Sequence, residues 1–140
     1  MKRKASAVWR GDLKTGKGTI SSDSGVLKET QYSFSTRFEN GAGTNPEELI
    51  AAAHAGCFAM AFSAELGKVG LTPESISATA TITLEMLPSG PTVTESHLDV
   101  TAKVPGAESG KVLEVAEVAK AGCPISRLLN AKVTMSAKVA

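Results

Sequence analysis

The stretch that most constrains this chain runs from Gly43 to Phe62. Asn45 stands where a side-chain oxygen can cap a helix, Pro46 suits the first helical position, and Glu48 the carboxylate position of a capping box. Beyond Glu48 the run is apolar on nearly every side until Ser63 and Glu65. A helix without a polar face must be buried. The expectation is therefore a core helix ending near Leu66, with Gly67 as its terminator and Cys57 deep inside the particle. A chain of 140 residues suits one compact domain, residues 1–140, with a real core. It can hardly cover such a helix on all sides, so a homodimer that buries the helix between sheets of both chains is expected.

The flanking sequence supplies the sheets. Ala5 to Arg10 alternates as a short strand, Gly11-Asp12 and Gly16-Lys17-Gly18 signal turns, and Thr19-Ile20-Ser21 is a second strand ended by Gly25. Tyr32 to Phe38 alternates again, with Tyr32, Phe34, Thr36 and Phe38 on one face and Arg37 on the other, which predicts a third strand. After the helix, Ile76 to Met86 alternates strongly. Pro88-Ser89-Gly90-Pro91 is a turn, and the segment from Val93 to Val104 places Leu98, Val100, Ala102 and Val104 on one face, so a hairpin is predicted. Ser109 can cap a second helix, Gly110 to Ala121, whose apolar stripe is Val112, Val115, Ala116 and Ala119. Pro124 suits the start of another helical turn, and Lys132 to Val139 reads as a last strand. Strands, helix, strands, helix, strand is an α+β order.

Charge and composition exclude some functions. The formal net charge is +1, which gives no electrostatic case for nucleic acid. The apolar run has about the length of a buried core helix and is punctuated or flanked by Glu47, Glu48, His54 and Glu65, so a membrane span is not expected. The basic start, Met1 to Ala5, leads into Val8-Trp9-Arg10-Gly11-Asp12 and not into an apolar signal core. Two cysteines in such a chain point to the cytoplasm, where a disulfide is transient and redox-active.

The two thiols differ in setting. Cys57 falls in mid-helix, beyond reach of its own helix dipole, whereas Cys123 stands at a helix start, where the dipole favours a thiolate. Local electrostatics alone favour Cys123 as the more acidic sulfur, and an attacking Cys57 needs a cation from elsewhere. Arg37 is available, with the ordinary reading of a solvated strand charge. Glu47 lies in the first turn of the helix, where a carboxylate suits the dipole in any case. His54 shares a helix face with Cys57, as an acid/base partner or as a packed or interface histidine, and His97 reads as surface. Neither histidine completes a metal pattern with the cysteines. Three readings of the pair stay open: redox catalysis, two unrelated buried thiols, or a structural disulfide worth about 4 kcal/mol in the chain-entropy model.

The segment Gly43 to Phe58 resembles the first cysteine motif of the OsmC/Ohr family (osmotically inducible protein C and organic hydroperoxide reductase). Gly122-Cys123-Pro124-Ile125-Ser126 resembles the second. The similarity extends to Trp9, Gly11, Gly16-Lys17-Gly18, Ser24-Gly25-Val26-Leu27 and Thr36-Arg37-Phe38. Ala53-His54-Ala55 and the position of Arg37 match the OsmC branch, since the Ohr branch carries its arginine earlier. The resemblance implies an OsmC-like α+β fold of antiparallel sheets around a long buried helix, in an intertwined homodimer. It implies a thiol peroxidase for organic hydroperoxides, without a prosthetic group, reduced by a dithiol such as a lipoyl group. By the same resemblance Cys57 is the peroxidatic cysteine and Cys123 the resolving one, Arg37 activates the thiol, and Glu47 pairs with Arg37. Phe58, Met60 and Phe62 then suggest a hydrophobic pocket. Glu47 and Cys57 are ten residues apart, about 15 Å along a helix. Each Cys57 is thus expected to meet the Arg37–Glu47 pair of the other subunit. The rival class is a non-enzymatic dimeric stress or hydrophobic-ligand-binding protein with incidental thiols.

Overall fold

The computed structural model describes every residue from Met1 to Ala140. It is an α+β protein whose chain divides into two compact units, Met1–Leu49 and Ile50–Ala140.

The first unit holds a three-stranded antiparallel sheet in the order β1 (Ala5–Arg10), β2 (Lys17–Ser22) and β3 (Thr30–Tyr32). Gly18 sits between Trp9 on one neighbouring strand and Tyr32 on the other. A Cβ there would come within 2.4 Å of the Tyr32 ring and 2.8 Å of the Trp9 ring. Only a glycine lets these two rings approach, with centroids 5.5 Å apart.

The expected third strand is shorter than its alternation suggests. It stops at Tyr32, and Phe34–Phe38 forms a one-turn helix, α1. Ser33 and Thr36 make a reciprocal capping box: the Thr36 N–H donates to the Ser33 hydroxyl at 3.3 Å, and the Ser33 N–H donates to the Thr36 hydroxyl at 2.8 Å. Phe34 and Phe38 then meet as an i,i+4 pair, ring centroids 4.8 Å apart. Five alternating residues fit either structure, and here the cap decides.

Helix α2 spans Pro46–Lys68. Asn45 caps it as expected, its side-chain oxygen accepting from the Glu48 N–H at 2.8 Å. The Glu48 carboxylate, however, takes the Thr44 hydroxyl at 2.8 Å. The helix also passes Gly67. Its terminator is Gly70, at φ +77°, where Leu71 N–H returns to the Leu66 carbonyl and Gly70 N–H to that of Gly67. By length and composition alone α2 is long and apolar enough to cross a membrane, against the expectation from sequence. Its inward stripe nevertheless packs into protein: His54, Phe58, Phe62 and Leu66 are buried at a four-residue spacing.

In the second unit, β4 (Ser75–Leu87) and β5 (Gly90–Lys103) form the expected antiparallel hairpin, with a register shift at Thr83/Leu84. Helices α3 (Ser109–Gly122) and α4 (Pro124–Leu128) follow, then β6 (Lys132–Val139). Glu108, not Ser109, caps α3, its carboxylate accepting from Gly110 N–H. The sheet is mixed and not wholly antiparallel, because β6 pairs with β5 in parallel. A parallel neighbour needs a crossover, and α3 and α4 provide it. The core joins Phe58, Phe62 and Leu66 of α2 to Leu98, Val100 and Ala102 of β5 and to Val112, Val115, Ala116 and Ala119 of α3. Each large apolar side chain so buried contributes about 1.5–3 kcal/mol. The helix is not wrapped on all sides, since Met60, between Phe58 and Phe62 in sequence, is 77% exposed.

Candidate active site

In the first unit, Arg37 and Glu47 meet. Arg37 lies on α1, not on a strand face, and Glu47 in the first turn of α2. Arg37 Nε donates to both carboxylate oxygens at 3.0 and 3.2 Å, and Nη2 donates to Oε1 at 2.7 Å. This side-on fork fixes the plane of the guanidinium and leaves Nη1 for another acceptor. Glu47 is the more buried partner, its side chain 13% exposed against 38% for Arg37. The Arg37 guanidinium also stands 5.3 Å from the Phe38 ring centroid.

A cavity of about 250 Å³ opens beside this pair, lined by Trp9, Leu13, Tyr32, Ser33, Phe34, Phe38 and Pro46 together with Arg37. It is an apolar hollow with one cation in its wall. The expected pocket residues Phe58 and Phe62 do not line it. Both are closed into the core of the second unit, with centroids 5.6 Å apart, and Met60 faces outward. Alternation in the strands hid the cavity, because its aromatics come from β1, β3 and α1 and converge only on folding.

In the second unit, Cys57 and Cys123 are both free thiols, Cys57 partly buried and Cys123 fully buried. Cys57 sits on α2; Cys123 ends α3 and precedes α4. Burial pushes the Cys57 thiol above its ordinary pKa, and interaction with the neighbouring Cys123 thiol pushes it further. The backbone at Ile125 acts in the opposite direction. No cation is among the groups that shift it. These immediate surroundings disfavour the thiolate.

His54 is fully buried, and both ring nitrogens are satisfied: Nδ1 pairs with the Ser96 hydroxyl at 2.6 Å and Nε2 with the Ser126 hydroxyl at 2.8 Å. Burial lowers its pKa, so the ring stays neutral. It is a packed histidine, bonded to β5 and α4. Its two serine partners escaped notice in the sequence; Ser126, inside the second cysteine motif, carried the available signal. His97 is half-buried on β5, with Nδ1 2.6 Å from the Thr134 hydroxyl. No group of three or more His, Cys, Asp or Glu side chains stands together as a metal site.

Two three-stranded sheets, one long apolar helix and two interacting thiols define a two-cysteine protein of α+β class. The OsmC-like protein family model matches residues 39–138, and the chain belongs to that family. It is 48% identical over 133 residues to Peroxiredoxin OsmC of Escherichia coli, covering 95% of this chain and 93% of that protein. The same figures hold for Peroxiredoxin OsmC of Shigella flexneri. Among solved structures, an OsmC-like protein of unknown function from Vibrio cholerae superposes with a TM-score of 0.78 at 19% identity, covering 98% of this chain and 99% of that one. The organic hydroperoxide resistance protein OhrB of Bacillus subtilis gives 0.69 at 22% identity, with 98% of each chain covered. These two structures share the fold.

Proposed function

We propose that this chain is a cysteine-based peroxidase that reduces organic hydroperoxides to alcohols at Cys57, in defence against oxidative and osmotic stress. The observation that carries this reading is that Cys57 of α2 packs against the buried cluster that contains Cys123, both of them free thiols. The Cys57 thiolate attacks the terminal oxygen of the hydroperoxide and the O–O bond breaks. The sulfur becomes a sulfenic acid, and the departing alkoxide takes a proton from solvent, in place of the one lost on thiol ionisation, to leave as the alcohol. The Cys123 thiol then displaces the hydroxyl as water, and a disulfide forms that protects Cys57 from further oxidation. An external dithiol, for which we favour a lipoyl group, restores both thiols by exchange. No prosthetic group enters the cycle.

The surroundings of Cys57 raise its pKa, so activation needs a cation, and a guanidinium remains charged at any working pH. We assign this role to Arg37, held in plane by Glu47. Glu47 and Cys57 occupy one helix ten residues apart, about 15 Å by helix rise. We therefore pair each Cys57 with the Arg37–Glu47 fork of the partner subunit in an intertwined homodimer. The outward Met60 supports burial of that helix face in a dimer. The aromatic cavity at Arg37 supports an organic substrate over hydrogen peroxide. Residues 1–140 act as one functional domain in the cytoplasm, with no nucleic acid or membrane partner.

The test is mass spectrometry of the reduced protein after one equivalent of an alkyl hydroperoxide. A loss of two hydrogens per chain, through a Cys57–Cys123 bond, is expected. Cys57→Ser should abolish turnover, whereas Cys123→Ser should react once and then over-oxidise. Unchanged free thiols would refute peroxidase action and favour an incidental role for both sulfurs in a ligand-binding protein. Equal effects of the two substitutions on the first oxidation would reverse the assigned roles.

A further inference from the structure

We propose that His54 is a positioning residue for the disulfide-forming step: through Ser126 it clamps the Cys123–Ser126 turn against helix α2, so that the second thiol stays in reach of Cys57. This rests on the peroxidase reading above and names a residue that reading does not use.

The geometry is a pair of parallel links between the same two elements. His54 lies three residues before Cys57 on α2, and Ser126 three residues after Cys123. One link is His54 Nε2 to the Ser126 hydroxyl, 2.8 Å. The other is the packing of Cys57 against the core cluster that contains Cys123. The three-residue step keeps His54 and Cys57 on one face of α2. Ser126 sits in the first turn of the helix that Cys123 opens as N-cap, so the hydrogen bond holds the turn on which the second thiol rides. The anchor of the clamp is β5, where the fully buried Ser96 hydroxyl holds Nδ1 at 2.6 Å. A fully buried position on an apolar helix would accept a leucine for packing alone. An imidazole with both nitrogens bonded costs desolvation and fixes orientation in return.

The segment being held is short. Pro124–Leu128 is a single turn of helix, and Cys123 lacks a side-chain cap bond of its own. His54 and Ser126 provide the side-chain hydrogen bond that ties this turn to α2. The chemistry makes such a tie matter. Once Cys57 is a sulfenic acid, two reactions compete. Attack by the Cys123 thiol forms the S–S bond and releases water. A second hydroperoxide instead transfers its oxygen, giving sulfinic acid and another molecule of alcohol. The first is intramolecular and depends on placement, where a displacement of about 1 Å can cost about 10²-fold. The second does not depend on the clamp.

The test measures that partition. Reduced wild type, Ser126→Ala, Ser126→Thr and His54→Leu are treated with excess tert-butyl hydroperoxide, quenched with an alkylating agent, and resolved by intact mass into disulfide and sulfinic forms. Wild type should give the disulfide. Ser126→Ala and His54→Leu should raise the sulfinic-to-disulfide ratio by up to about 10²-fold, and Ser126→Thr, which keeps the hydroxyl, should restore the wild-type ratio. Melting curves identify any variant that fails to fold, and if His54→Leu does, the half-buried Ser126→Ala decides. A wild-type ratio in folded Ser126→Ala overturns the clamp. A wild-type chain that forms no disulfide overturns the peroxidase reading itself, a separate failure, and the clamp falls with it.

Discussion

The carboxylate of Glu47 grips the Nε–Nη2 edge of Arg37, with 2.7 Å to Nη2 as the closest approach. The pair is internally neutral, yet its free Nη1 edge still presents hydrogen-bond donors. Arg37→Lys keeps a charge but loses the planar fork, so it should behave as a loss of function and not as a conservative change. Arg37→Gln should lower kcat/KM for an alkyl hydroperoxide by about 10²–10³-fold, the range for removing one preorganised donor.

Which subunit supplies that arginine can be decided by mixing two inactive proteins. With sites shared across the dimer, a mixed dimer of Cys57→Ser and Arg37→Gln chains contains one intact site, Cys57 of one chain with Arg37 of the other. Unfolding and refolding the two proteins together should then recover activity. If each site is built within one chain, every site in the mixed dimer lacks a residue and no activity returns.

The thiol pKa provides a second handle. Local burial and Cys123 raise Cys57 above the ordinary 9.0, whereas a nearby guanidinium lowers it. The pH profile of Cys57 alkylation, followed in Cys123→Ser at dimer-forming concentrations, should have its midpoint below 9.0. Adding Arg37→Gln should carry it above that value. A midpoint that ignores the second substitution removes Arg37 from thiol activation.

His54 gives the fold an acid sensitivity with a definite sign. Its pKa is lowered by burial from the ordinary 6.5. Between the native value and 6.5 the unfolded chain binds a proton that the native chain refuses, so stability rises with pH there and declines as pH falls through 6.5. The Tm should drop between about pH 7.5 and about pH 5.5, on either side of this window. His54→Leu should start lower, because the buried Ser96 hydroxyl loses its partner at a cost of about 1–3 kcal/mol, yet decline less with acid. Equal declines would place the sensitivity in other groups.

Gly18→Val tests the aromatic cavity without touching a polar group. The added side chain must displace the Tyr32 or Trp9 ring. It should destabilise the protein by about 1–3 kcal/mol and raise KM for bulky hydroperoxides more than for small ones. A stability loss with no change in substrate preference would separate the cavity from substrate binding.

Much of this architecture is legible in the sequence, for reasons that differ by element. The alternation from Ile76 to Met86 and the stripe of Val112, Val115, Ala116 and Ala119 read correctly, because one buried face imposes a period. Tyr32–Phe38 misled because its aromatics satisfy period two and also an i,i+4 pair, and the Ser33–Thr36 cap breaks the tie. The direction of β6 left no trace in its own residues, since an alternating strand pairs either way round. At the site, the motifs flagged Cys57, Cys123, Arg37 and Glu47; the structure pairs Arg37 with Glu47 and packs Cys57 against the cluster that holds Cys123. The seryl partners of His54 and the cavity wall of Trp9, Tyr32, Phe34 and Phe38 are long-range meetings that no local spacing encodes.

The parallel pairing of β5 and β6 has a consequence for how this protein can change over generations. To run beside β5 in the same direction, the chain must first travel back along the sheet, and Cys123 rides on that return path between α3 and α4. Replacing the path by a tight turn would reverse β6 and delete a thiol together, so topology and redox chemistry are inherited as one unit. Length variation is best accommodated at the exposed Pro105-Gly106 bend ahead of α3. A residue inserted between Gly122 and Ser126 would shift the sulfur and the serine out of step with Cys57 and His54 at once.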